Sequence, residues 1–314
     1  MNRLNYIDAA KGLGILLMVL GHIWTESCAG IVIWLYSFHI PMFFILSGMI
    51  MKYSGALDKK TIGENVRTKC RQLIIPYITF EALYVIVIGT KQGFNYEKLQ
   101  WHWYDGLFLN PVNGPLWFLL CLFVVEVAFI ILNSVVKNKK CNVLVAVVLY
   151  IIPFIMTTEN IQLKFIITCC TAYGFFTLGY YWFEYISSKE MRWTYVLLLL
   201  FTGMVLAMVN TKTNMYDLNY KNPLLYTGNA VVTSSAFIFL FKKISSNVLE
   251  FWGRNTIIML ALHVLCMSII RNVIPMDYQT FYGGLIMLVL VCMMSWPIVI
   301  FVNKYIPQLV GKRK

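Results

Sequence analysis

The 314-residue sequence is 59% hydrophobic and only 13% charged, well beyond the roughly 45–50% apolar content of soluble domains, which excludes an ordinary soluble globular protein. Its net charge of +12 would suggest nucleic acid in a soluble chain; at a mean hydropathy of +0.69 the simpler source is membrane topology, and no nucleic-acid partner is expected. The eight cysteines lie in or beside apolar runs with neither zinc nor disulfide spacing, so they read as small apolar side chains and no metal is expected.

A membrane span needs about 20 mostly apolar residues. That length predicts helices over 7–25, 31–50, 73–90, 116–136, 142–156, 163–183, 194–209, 224–241, 256–272 and 283–303. The expected fold is therefore an all-α integral membrane protein of about ten transmembrane helices, one domain over 1–314 without a soluble extracytoplasmic domain. The 142–156 and 194–209 runs are short, and Pro153 is placed to break or bend the former. The first apolar run has Arg3 before it but no small-residue cleavage site, so it reads as a retained helix rather than a secretory signal.

Ten spans put both termini on one side. With that side cytoplasmic, all 26 Lys and Arg except Lys91, Lys98, Lys164, Lys212, Lys221 and Arg271 fall inside. Such asymmetry is what the positive-inside rule requires.

Polar chemistry starts in the first span, DAAKGLGILLMVLGH (8–22). At 100° per residue Lys11 and His22 agree in direction to within about 20° and Asp8 and His22 to within about 40°, so one helical stripe carries all three. Ionisable groups inside a span are expensive and are functional candidates by default. Glu26, one turn beyond His22, is placed to fix the imidazole tautomer if the helix reaches it. The second span holds FHIPMFFILSG, where Pro41 frees a backbone carbonyl beside His39 and the two histidines can lie at similar depth.

The polar loop 51–72 carries Lys52, Lys59, Lys60, Arg67, Lys69 and Arg71. It reads equally as a lipid-headgroup anchor and as a dock for the polyphosphate of a coenzyme. Outside, WHWYDG within 91–115 reads as an interfacial aromatic belt, with stacking on a sugar as its alternative. Glu81 and Glu126 lie within spans and read as structurally paired carboxylates, with a proton path as the alternative. In GRNTIIMLALH, Asn255 and His263 are eight residues apart, within about 80° on a helix, and so are expected to line one cavity.

Four stretches in order, DAAKGLGILLMVLGH, FHIPMFFILSG with RTKCRQLIIPY, NGPLWFLLCLF and GRNTIIMLALH, resemble the membrane-bound acyltransferase-3 family. The opening resembles its fucose O-acetylase-like branch. The resemblance spans nearly the whole chain and implies acyl transfer from acyl-CoA, with acetyl-CoA the expected donor, to a hydroxyl of a cell-envelope glycan or related carbohydrate. Partners are then acyl-CoA, that acceptor and membrane lipid. It links Lys11 and His22 to acyl transfer, His22 as base. Beside them the residues themselves suggest Glu26 and His39 as catalytic companions, Arg67, Lys69 and Arg71 with Lys11 as donor-binding residues, and Asp8, Trp117, Asn255 and His263 as acceptor-binding ones. Where many members have Arg, this chain has Lys11, which keeps the charge but not the bidentate fork. A transporter or flippase for a small polar solute or glycan precursor is the alternative and would use Glu81, Glu126 and His39 as its path. A noncatalytic envelope scaffold would leave the Lys11/His22 stripe unexplained.

Overall fold

The computed structural model describes residues 4–24, 28–92, 111–156 and 158–312. Glu26 and the WHWYDG stretch lie outside the described residues. The helices are α1 (Asn5–Ile23), α2 (Ala29–Ser54), α3 (Ala56–Lys59), α4 (Ile62–Lys69), α5 (Ile75–Gln92), α6 (Trp117–Val135), α7 (Lys139–Ile155), α8 (Ile161–Ser188), α9 (Trp193–Asn210), α10 (Pro223–Lys243), α11 (Asn247–Arg254), α12 (Thr256–Val273) and α13 (Phe281–Tyr305). Without water to satisfy backbone groups, an apolar chain in hydrocarbon folds as helices or a closed barrel, and the described residues contain no strand beyond the isolated Asn214–Asn219 bridge.

Nine spans among the described residues are long and apolar enough to cross a membrane, α4 and α5 together forming one of them. The tenth expected span, α7, has 17 residues, about 25 Å at 1.5 Å per residue. It runs beside α8, with Lys139 over the Tyr181 ring and Tyr150 edge-on to Phe175, and is not among the nine. Pro153 does not break it; the helix continues to Ile155. Helix starts fall where side chains cap them: Asn138, Asn160, Asn222, Ser246 and Thr280 each accept from first-turn amides.

The segment expected as a polar loop is instead helical. Thr61 and Glu64 form a reciprocal capping box that starts α4, and α4 passes into α5 through a π-helical turn, Cys70–Ile74. A local cap outweighed the low hydropathy there.

Both described ends of the chain meet at one end of the bundle. Arg254 pairs with Asp8 at 3.2 Å, and Lys312 donates to Asn255 at 3.2 Å. The bundle closes through bare-backbone crossings. A methyl on Gly12 of α1 would lie 1.8 Å from the Leu249 carbonyl oxygen, and one on Gly253 would lie 1.7 Å from that of Asp8. Between α2 and α8, methyls on Gly48 and Gly179 would meet backbone oxygens at 2.1 and 2.0 Å. Small residues at such crossings let helix backbones approach where apolar side chains gain little over lipid.

Because the obstacle at each crossing is backbone, it cannot swing aside. Gly12→Ala or Gly179→Ala should therefore cost at least ~1–3 kcal/mol through overpacking. Thermal unfolding in detergent should show a clearly lowered midpoint, whereas Gly63→Ala, with nothing within 4 Å, should leave it unchanged.

Candidate functional site

A cavity of about 840 Å³ runs through the bundle between α1, α2 and α6. Lys11, Ile15, Met18 and His22 line it from α1, a spacing of four, three and four residues that keeps one helical face on the cavity. At 1.5 Å per residue, Lys11 and His22 are about 16 Å apart along that face. From antiparallel α2 come Tyr36, His39, Ile40, Phe43, Ser47 and Ile50. From α6 come Trp117, Phe118, Leu119, Leu122 and Glu126. The cavity thus has a basic end, an apolar throat and an aromatic, histidine-bearing end.

At the basic end, Lys11, Lys69, Arg71 and Lys312 face a single carboxylate, Glu126. Lys69 bonds Glu126 at 2.9 Å. Arg71 Nε is buried without a partner among the described residues, an unmet donor suited to an anion. The π turn that carries Arg71 is of a kind frequent at functional sites. Lys312 arrives from the chain's far end. Pro307–Val310 makes a 3-10 turn, and Gly311 adopts φ 73 and packs against the Arg71 backbone. The Lys312 ammonium then donates to Asn303 Oδ1 at 2.5 Å and Asn255 Oδ1 at 3.2 Å.

At the other end, His22 is the one exposed side chain of α1 beyond Asn5, and it is exposed into the cavity. His39 donates from Nδ1 to the Leu35 carbonyl at 2.6 Å, which leaves Nε2 as an acceptor. Tyr36 meets the His39 ring edge-on at 5.3 Å, and its hydroxyl donates to the Gly21 carbonyl at 3.4 Å. Trp117 faces Tyr216 with ring centroids 5.1 Å apart.

Lys11, His22, His39, Lys69, Arg71 and Trp117 are therefore brought to one cavity from four separate stretches of sequence. The other expected site residues among those described, Asp8, Arg67, Asn255 and His263, do not line it. Asp8 lies on the flank of the α1 stripe, 40–60° off the Lys11/His22 direction at 100° per residue. There it meets α11, where Arg254 bonds both Asp8 and, at 2.7 Å, Glu250. Arg67 is exposed on α4 and does not line the cavity. Asn255 caps the His263 helix rather than lying in its regular run. It is the break between α11 and α12, at φ −125, so a helical wheel carried through it misplaces it; its amide binds Phe251, Asn303 and Lys312. His263 is fully buried behind the wall, its ring centroid 5.2 Å from that of His22. Its Nδ1 donates to the Leu260 and Met259 carbonyls, and its Nε2 has no partner among the described residues.

Lys312, Tyr216 and Tyr36 are among the cavity contributors that escaped the sequence reading. Lys312 was legible only as one of the positive charges inside, and neither tyrosine was singled out. Glu81 is a clasp, accepting from the Val112 and Asn113 amides and so fixing the approach to Trp117. Burial raises the Tyr216 phenol above its ordinary pKa, aided by Asp217 and opposed by Lys164, so it stays protonated at neutral pH. All eight cysteines are free thiols, and no group of three metal-ligating side chains occurs among the described residues.

A family model described as an acyltransferase domain matches residues 4–303. No curated protein and no solved structure matches the chain.

The Lys69–Glu126 pair is only 15% and 6% exposed. Removing one partner of such a pair strands a buried charge, at about 3–5 kcal/mol, whereas replacing both is often near neutral. Unfolding of the two single variants and the double variant should therefore show Lys69→Met and Glu126→Leu each strongly destabilised and the combination largely restored.

Proposed function

The chain belongs to the acyltransferase-3 family, so it is a membrane acyltransferase, and from that premise we propose an O-acetyltransferase. It takes the acetyl group from cytoplasmic acetyl-CoA and delivers it to a hydroxyl of a cell-envelope glycan or related carbohydrate. The observation that carries this reading is the α1 face on which Lys11 and His22 line one cavity whose basic end also holds Lys69, Arg71 and Lys312.

The coenzyme phosphates suit the basic end, where cations and the unmet Arg71 donor offer charge-assisted hydrogen bonds. Beyond it the apolar stretch walled by Ile15, Met18, Phe43 and Leu122 suits a long thin acyl-pantetheine arm better than a charged nucleotide. His22, open to the cavity at the far end, accepts the proton of the acceptor hydroxyl as its oxygen attacks the thioester carbonyl. Collapse of the tetrahedral intermediate breaks the carbon–sulfur bond, the thiolate leaves with the proton from His22, and the new ester remains on the acceptor. His39, its tautomer held by Leu35, presents Nε2 to the same space and orients the hydroxyl. His263 packs against the His22 ring rather than reaching substrate.

Acetyl-CoA thioester turnover by purified protein in lipid nanodiscs tests the reading across a panel of glycan acceptors. Folded His22→Ala should lose about 10²–10⁴-fold in kcat, the usual worth of a general base; turnover at the wild-type rate would sink the proposal. Lys312→Ala should raise the KM for acetyl-CoA several-fold, while leaving that for acetyl-pantetheine, which lacks the nucleotide phosphates, unaltered. An equal rise for both donors would remove Lys312 from the phosphate subsite.

A further inference from the structure

Among the described residues, the non-glycine positions with left-handed backbone are Thr211 (φ 64), Leu218 (φ 55) and Lys221 (φ 56), and all three fall in the segment joining α9 to α10. Each such residue is strained and persists only where its surroundings over-determine it, which is why they gather at functional sites. This segment is over-determined. Asn210 closes its neck by accepting from the Asn222 amide at 2.8 Å and donating to the Tyr220 carbonyl at 3.1 Å. Asn214 and Asn219 bridge across it. Lys164 of α8 holds Asp217 at 3.1 Å, and the Tyr220 hydroxyl bonds Thr171 at 2.8 Å.

What this scaffold holds still is Tyr216, which it inserts into the histidine-bearing end of the cavity. The Tyr216 ring is tilted 42° against Trp117, while Lys164 sits 5.2 Å from its centroid. Trp117 is fixed independently. The Asn113 amide donates to the Ala261 carbonyl at 2.8 Å, and Glu81 holds the backbone just before it. Packed against each other, these two rings form one aromatic wall of the cavity that His22 and His39 also line. Close packing does not require this much hydrogen bonding and strain at the bundle's end.

We propose that the Thr211–Asn222 hairpin is a carbohydrate-recognition element, in which Tyr216 and Trp117 seat one pyranose ring beside His22. A pyranose offers a C–H face to aromatic rings, whose faces carry the negative part of the quadrupole, and hydroxyls at its edge to the imidazoles. A lipid chain would have no use for the polar edge, and a free anion none for the rings. The word acceptor rests on the acyl-transfer reading; the sugar seat does not.

Ligand-observed saturation-transfer NMR on the full chain in nanodiscs, without acyl donor, tests the seat. The probes are methyl glycosides of glucose, galactose, mannose, fucose and N-acetylglucosamine. At least one should bind the wild type. Tyr216→Ala and Trp117→Ala should each weaken it about tenfold, the worth of one good ring contact, and Tyr216→Phe should bind as the wild type does. Thermal midpoints of all variants separate loss of the seat from loss of the fold. No glycoside bound by the wild type, or unchanged binding by a folded Tyr216→Ala, overturns the proposal. Acyl transfer measured on the same samples separates the two readings. Transfer with an unaltered acceptor KM in Tyr216→Ala overturns the seat alone. Sugar binding lost in that variant, with no transfer by the wild type, overturns the enzyme alone.

Discussion

Inside a bilayer a polar group is best satisfied within the protein, and this requirement shapes where many of the described polar side chains go. Most are tied off. Asn229 binds Ser37 and Thr233 between α2 and α10, Tyr150 binds Thr227 at 2.6 Å, and Lys242 gathers the C-terminal carbonyls of α8. Glu81 takes two backbone amides. A second set, Lys11, His22, His39, Arg71 and Lys312 among them, lines one cavity, and some of these are bonded as well, Lys312 to Asn303 and Asn255 and His39 to Leu35. The chemistry of the cavity is set by which side chains the bundle brings to it.

The order of those side chains along the cavity follows from helix geometry rather than from any one residue. An α1 face repeating every three or four residues and an antiparallel α2 face lay a continuous wall, polar at each end and apolar between. The bare-backbone crossings at Gly12, Gly48, Gly179 and Gly253 bring the helices close enough for this wall to be continuous. The cation-rich end lies where both described chain ends meet, so the last described residues contribute to the site that the first helix opens.

Much of this was legible before any coordinates. The spans followed from hydropathy, and the Lys11/His22 stripe from the helical period, because both are local properties of one continuous helix. Asn255 shows where that logic stops: a wheel is valid only while the helix continues, and residue 255 is its break. Asp8 shows a second limit, since a flank position is decided by its neighbour, here Arg254, some 246 residues away. The 51–72 segment was misread because a capping box is a stronger instruction than mean polarity. Lys312 and Tyr216 enter the cavity through a folded-back tail and a strained hairpin, and neither leaves a periodic trace in sequence. Glu26 and the WHWYDG stretch fall outside the described residues, so those expectations stand as they were.

The Glu81 carboxylate has a consequence for how such a protein can change. By accepting from the amides of Val112 and Asn113 it fastens together two points 31 and 32 residues apart, just ahead of Trp117. The position of Trp117 is thereby set by α5 as well as by α6, so a substitution of Glu81 reaches the cavity wall although Glu81 does not itself line it.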